Sequence, residues 1–149
     1  MIRFLLFNAL FVGSCGYALL RGGAPERIAA ALLVATIEAS WLLLTPLAIR
    51  FRHVELGVFF VDIALFGSLY ALSLPCRRFW PIWITACQGL GMVSHLAVFA
   101  PHVIQWAYGN AVQLWSYPML ILLGVGTYRH RQRLKRTGRD RAWIWSRAI

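Results

Sequence analysis

Charge is scarce in this sequence. Only 13% of its 149 residues are charged, and just five residues are acidic. A soluble domain of this length carries roughly twice that charged fraction. What charge there is falls almost entirely between long apolar runs, as in a helical membrane protein, and no stretch is left over for a separate soluble domain. Cysteine is sparse too. Cys15, Cys76 and Cys87 lie on three different segments and form no CxxC pair, so neither a zinc ribbon nor a disulfide framework is supported. They read as small buried apolar residues. No GxSxG, HExxH or phosphate-loop string occurs, so no nucleophile-and-base or phosphate chemistry is signalled and the reading leans away from an enzyme. No internal repeat is visible, and an odd number of spans does not suit a simple two-fold repeat transporter.

What is present is apolar length. Residues of hydrophobic type make up 60% of the chain and the mean hydropathy is +0.64. The pattern predicts an all-α, integral membrane bundle of five transmembrane helices over residues 2–20, 28–49, 56–74, 79–100 and 103–127. Each is near the ~20 residues that a bilayer requires. Arg21-Gly22-Gly23-Ala24-Pro25-Glu26-Arg27 reads as a tight helical hairpin, its glycines suited to a left-handed cap and Pro25 to a first helical turn. Pro75 ends the third helix and Pro101 the fourth. Trp80 and Trp83 stand at an interface as anchors.

The run after residue 127 sets the orientation. It holds Arg129, Arg131, Arg133, Lys135, Arg136, Arg139, Arg141 and Arg147, with Asp140 as its one acid. A basic block beside a span stays in the cytoplasm. Five spans then place the N-terminus outside, the C-terminus inside, and residues 128–149 in the cytoplasm as a basic tail. Of the fifteen Lys and Arg, twelve fall inside under this scheme and three outside, as the positive-inside rule requires. The expected location is a membrane, crossed in multiple passes. The net charge of +10 is accounted for by orientation and by contact with anionic headgroups, and no nucleic-acid recognition module accompanies it. Val12-Gly13-Ser14-Cys15 resembles a lipoprotein cleavage box. Processing there would leave four spans and put the basic tail outside, so the first helix is read as uncleaved.

Polar residues inside the spans follow helical spacing. The third helix carries Asp62 on the side of Glu55, Leu69 and Ser73, with Ala64, Gly67, Ser68 and Ala71 opposite. The small face suits helix contact and the acidic face avoids lipid, which places this helix near the bundle centre. Ala9 and Gly13 form a further small pair on the first helix. Gln88 and His95 share a face of the fourth helix, Asn110, Gln113 and Tyr117 follow one another on the fifth, and Glu38 lies mid-way along the second. Buried in hydrocarbon, these residues are expected to face one another as a polar seam. Asp62, His95 and Asn110 come to lie roughly 7–11 Å below the outer surface at ~1.5 Å per residue, with Glu38 deeper. Sequential antiparallel helices pack as neighbours, so a direct Asp62–His95 contact is expected.

Two carboxylates inside the membrane have no Lys or Arg at their depth. Four outcomes are open: protonation of the acids, pairing with a cationic His95, binding of a metal or other cation, or an arginine such as Arg50 or Arg52 reaching down. The seam is therefore either structural or a site for a proton or cation. No cofactor is required by the sequence. A haem or metal held by His53, His95 and His102 is a further alternative.

The strings Gly22-Gly23-Ala24-Pro25-Glu26-Arg27, Arg78-Phe79-Trp80-Pro81, Trp115-Ser116-Tyr117-Pro118-Met119 and Gly126-Thr127-Tyr128-Arg129-His130 resemble those of small polytopic inner-membrane proteins of proteobacteria. The resemblance implies a bacterial inner-membrane location and no particular activity. Small multidrug transporters are similar in size and in using an embedded Glu, but they have four helices with the acid on the first, so none of their residues carries over. Three functions follow as expectations. The first is a non-enzymatic accessory or scaffold subunit of a membrane assembly, whose basic tail docks on anionic lipid or on a partner, itself another membrane subunit or a second copy. The second is a small proton- or cation-coupled transporter using Glu38, Asp62 and His95. The third is a haem- or metal-binding membrane protein.

Overall fold

The computed structural model describes residues 2–43, 56–95 and 114–138. Among these the chain is all-α. Its helices are α1 (Ile2–Arg21), α2 (Ala24–Leu43), α3 (Leu56–Ser73), α4 (Trp80–Ser94) and α5 (Ser116–Thr137), and no strand occurs among the described residues. By length and composition, α1 and α3 are apolar enough to cross a membrane. Three charged residues interrupt α2, α4 is described over 15 residues, and the second half of α5 is basic.

Neighbours in sequence are neighbours in space. α1 packs on α2, α2 on α3, α3 on α4 and α4 on α5, and α5 returns to α1 and also touches α2. The direction of each pair can be followed from its contacts. At one end the Gly57 backbone lies beside Leu43, so α2 and α3 are antiparallel. Gly91 faces Trp115 while Gly126 faces Trp80, so α4 and α5 are antiparallel as well. α1 and α5 run parallel: Phe7 meets Tyr117 edge-on at 5.6 Å, and one heptad further along Ser14 lies against Gly124. A ring of five alternating helices cannot close otherwise.

The interior is narrow and leucine-rich. It is built from Cys15 and Ala18 of α1, Ala29, Ala30 and Leu33 of α2, Leu65, Leu69 and Leu72 of α3, Trp80 and Ile84 of α4, and Met119, Leu120 and Leu123 of α5. Trp80 lies so close to Gly126 that a Cβ there would come within 2.9 Å of the indole. Buried hydroxyls satisfy themselves one turn back: Thr85 donates to the Pro81 carbonyl and Thr127 to that of Leu123, the usual solution for such residues inside a helix.

Several expectations need correction. α3 is not central. It buries Leu65, Leu69, Leu72 and Ser73, while Ala64, Gly67 and Ala71 face outward. Bulky leucine fills the space between antiparallel neighbours better than alanine or glycine, and this sets its rotation. Ala9 and Gly13 are likewise exposed, because α1 turns Ser14, Cys15 and Ala18 inward. Gly22 and Gly23 do not adopt the left-handed conformation; among the described glycines only Gly138 has a positive φ. The hairpin glycines instead allow close approach. A Cβ on Gly22 would press on Glu26 Cβ at 2.7 Å, and one on Gly23 on the His130 ring at 2.8 Å. The second helix starts at Ala24 rather than 28, with Pro25 inside its first turn. The fifth helix does not end at residue 127 either. α5 continues through Thr137, because Arg, Gln, Leu and Lys are good helix formers, and stops at Gly138 with φ 67° and its N–H on the Leu134 carbonyl.

Candidate functional site

Two polar clusters tie the helices together, one near each end of the bundle. The first joins α3 to α4. Asp62 lies two turns into α3. Its Oδ1 accepts a hydrogen bond from Gln88 Nε2 at 2.9 Å, and its Oδ2 lies 2.9 Å from His95 Nε2. Gln88 Nε2 also reaches the Asp62 main-chain oxygen at 3.4 Å. Seven residues separate Gln88 from His95, two helical turns, so both side chains leave the same face of α4 and grip one carboxyl group. His95 is buried, with the Phe59 ring packed edge-on at 5.6 Å, while the Asp62 side chain keeps 18% of its surface open. Chemically this is a hydrogen-bonded clamp in which an amide and an imidazole hold one carboxyl group between two helices.

The rest of the expected seam does not converge on it. Glu38 is exposed: α2 buries Ala29, Ala30 and Leu33, and five residues beyond Leu33 the helix has turned ~140° away. Tyr117 packs on Phe7 between α1 and α5. Asn110 and Gln113 lie outside the described residues, as do His53, His102, Arg139 and Arg141. Among the described residues no group of three His, Cys, Asp or Glu is placed to hold a metal ion.

The second cluster is the one that sequence reasoning missed. Glu26, in the first turn of α2, is 0% exposed and forms an ion pair with the buried Arg78 guanidinium through Oε1 and Nη1. Arg78 Nη2 lies 3.3 Å from Nδ1 of His130 on α5. Three segments meet here: the α1–α2 hairpin, the α3–α4 connection and the middle of α5. Gly23 has no side chain because His130 occupies that space. Glu26 Oε2 and Trp80 Nε1 are buried without a hydrogen-bond partner among the described residues. Beyond the cluster, α5 carries Arg129, Arg131, Arg133, Lys135 and Arg136 outward on a continuous helix. The signal for this cluster was an acid and an arginine each set beside a proline-bearing turn, Pro25-Glu26 and Pro75-Cys76-Arg77-Arg78.

Comparisons with family models, with curated proteins and with solved structures match nothing to this chain.

Proposed function

We propose that the chain is a non-enzymatic accessory subunit of a membrane assembly, in an inner membrane of the proteobacterial type. It crosses the bilayer five times with its N-terminus outside, and its basic α5 extension stands in the cytoplasm against anionic headgroups or a partner. The apolar exterior supports the membrane part: only 17% of the α1 span and 22% of the α3 span are buried, whereas a core helix of a soluble protein is mostly covered. Phe4, Leu5, Phe60, Trp83 and Phe79 all face outward, far more apolar surface than a soluble monomer tolerates. The two polar clusters support the orientation, since the ion-paired end is also the end rich in arginine.

One observation carries the accessory role. Among the described residues, the oxygens of Asp62 are taken up by Gln88 and His95 while Glu38 and Tyr117 point elsewhere, an arrangement that supports a clamp between two helices over a path for ions. Purification in a mild detergent, with a visible spectrum, tests this reading. Co-purification of a defined membrane protein is expected. A stable monomer without one counts against it, and a Soret band would favour a haem protein instead.

The residual exposure of Asp62 favours a second reading, a proton- or cation-coupled carrier with Asp62 and His95 as its site. Proton uptake into proteoliposomes that is abolished by Asp62→Asn would support it.

A further inference from the structure

We propose that the arginine-bearing end of the bundle binds the phosphate headgroups of anionic phospholipid, through a rim formed by Arg21, Arg27, Arg77 and Arg129 and an arm formed by the last two turns of α5. The proposal rests on the membrane-crossing part of the accessory-subunit reading and deepens it by assigning the basic end to lipid.

Three separate segments supply the rim, and the buried cluster sets them level. Gly23 of the α1–α2 hairpin lies against His130 of α5, and Arg78 of the α3–α4 connection reaches both Glu26 and His130. Arg21 and Arg27 flank that hairpin, Arg77 adjoins Arg78, and Arg129 adjoins His130; all four rim arginines are exposed. The turn at Gly22-Gly23 reverses the chain from α1 to α2, and α3 is antiparallel to α2. Hence α1 and α3, the two helices long and apolar enough to cross a membrane, run the same way and both finish at this end. From His130 the arm continues seven residues to Thr137, ~10 Å at ~1.5 Å per residue. It carries Arg131, Arg133, Lys135 and Arg136.

The chain's own acids do not cancel this charge. The sequence has five. Glu26 is buried against Arg78, and Asp62 lies in the first half of α3 against Gln88 and His95. Glu55 is joined to the start of α3, at the opposite end. Glu38 lies ~21 Å along α2 from Ala24 at ~1.5 Å per residue. That leaves Asp140, three residues beyond Thr137, beside the eight Lys and Arg of rim and arm. Each Lys or Arg within a Debye length, ~10 Å, of a negative bilayer surface adds to the attraction.

Shape decides the occupant. The helices form a ring in which each packs on the next, and the rim arginines leave it from the α1–α2 side, the α3–α4 side and α5. A bilayer surrounds such a ring on all sides at one level. A nucleic-acid strand instead follows a single basic groove, and a docked protein covers one side. Exposed Trp83 and Tyr128 stand at the same end as these arginines, and Trp and Tyr gather where hydrocarbon meets headgroup.

The test uses the full chain with a donor dye at its C-terminus, in phosphatidylcholine vesicles doped with acceptor-labelled phosphatidylglycerol or acceptor-labelled phosphatidylcholine. Half-maximal energy transfer is expected at about fivefold lower mole fraction of the anionic acceptor. High salt should abolish the preference. Arg27→Gln, Arg77→Gln and Arg129→Gln combined should reduce it, as should Lys135→Gln and Arg136→Gln combined, and Arg3→Gln at the far end of α1 should leave it intact. Equal transfer to the two acceptors overturns the proposal, as does a preference that survives both sets of changes or is lost in Arg3→Gln. Loss of the preference to millimolar inorganic phosphate at constant ionic strength assigns the arginines to a free anion and overturns it. Binding of single-stranded RNA without a headgroup preference assigns them to nucleic acid and does the same. Extraction of the chain from the vesicles by alkaline carbonate overturns the membrane reading and the proposal together, whereas a carbonate-resistant chain without headgroup preference overturns the proposal alone.

Discussion

Glu26 and Arg78 form an ion pair from which solvent is excluded, fifty-two residues apart in the chain and brought together where two helical hairpins end. Removing one partner strands the other as a buried charge. Glu26→Ala and Arg78→Ala are each expected to destabilise by about 3–5 kcal/mol, whereas the double change to methionine should recover most of the loss. Thermal unfolding in detergent of the two single variants and the double variant measures this.

The Asp62 clamp should respond differently. Asp62→Asn keeps a hydrogen-bonding side chain and removes a charge, so stability should be within about 1 kcal/mol of the parent. Asp62→Leu leaves Gln88 and His95 without their acceptor and should cost about 1–3 kcal/mol. The same variants in proteoliposomes are expected to show unaltered ion flux if the clamp is structural.

Two glycines on facing helices make a matched pair. At Gly126 a methyl group would press on the buried Trp80 indole at 2.9 Å, and Gly126→Ala should lose about 1–3 kcal/mol. At Gly91 the nearest atom would be Trp115 Cβ at 3.9 Å, an ordinary contact. Gly91→Ala should be neutral or gain about 0.5–1 kcal/mol from helix propensity. Parallel melting curves of the two variants decide this.

Topology is checked by reporter fusions after Arg27, Arg52, Arg78 and His102. They are expected to report inside, outside, inside and outside in turn. Two successive fusions on one side would overturn the five-span arrangement.

The approach of Asp62 to His95 is legible in the sequence because position along the helix and chain order both constrain it: similar distances from the same end of the bundle on consecutive antiparallel helices. The Gln88 contact follows from helical spacing alone. Rotation is much harder to read. On α3 a leucine face and a small-residue face are both apolar, so hydrophobic periodicity does not distinguish the packed side from the side turned outward. The sequence places Glu38 inward because acids avoid lipid, yet α2 packs through Ala29, Ala30 and Leu33 and leaves Glu38 exposed. Arg78 and Glu26 were hidden for another reason. Charges at membrane edges all serve as orientation signals, and nothing local separates one that is buried from one that is solvated. The extension of α5 past residue 127 corresponds to a run rich in Arg, Gln, Leu and Lys that meets no glycine until Gly138.

The parallel pairing of α1 with α5 has a consequence for biogenesis. Ribosomes release the chain from its N-terminus, so α1, α2, α3 and α4 can each dock on the helix just made, but the second flank of α1 must wait for the last helix to emerge. Ser14 meets Gly124 only after more than a hundred intervening residues have been synthesised. Until then its neighbours Cys15 and Ala18 lack that cover, and the nascent bundle is an open sheaf with one unsealed side. Closure of the ring is thus a late, non-local event in the folding of the chain.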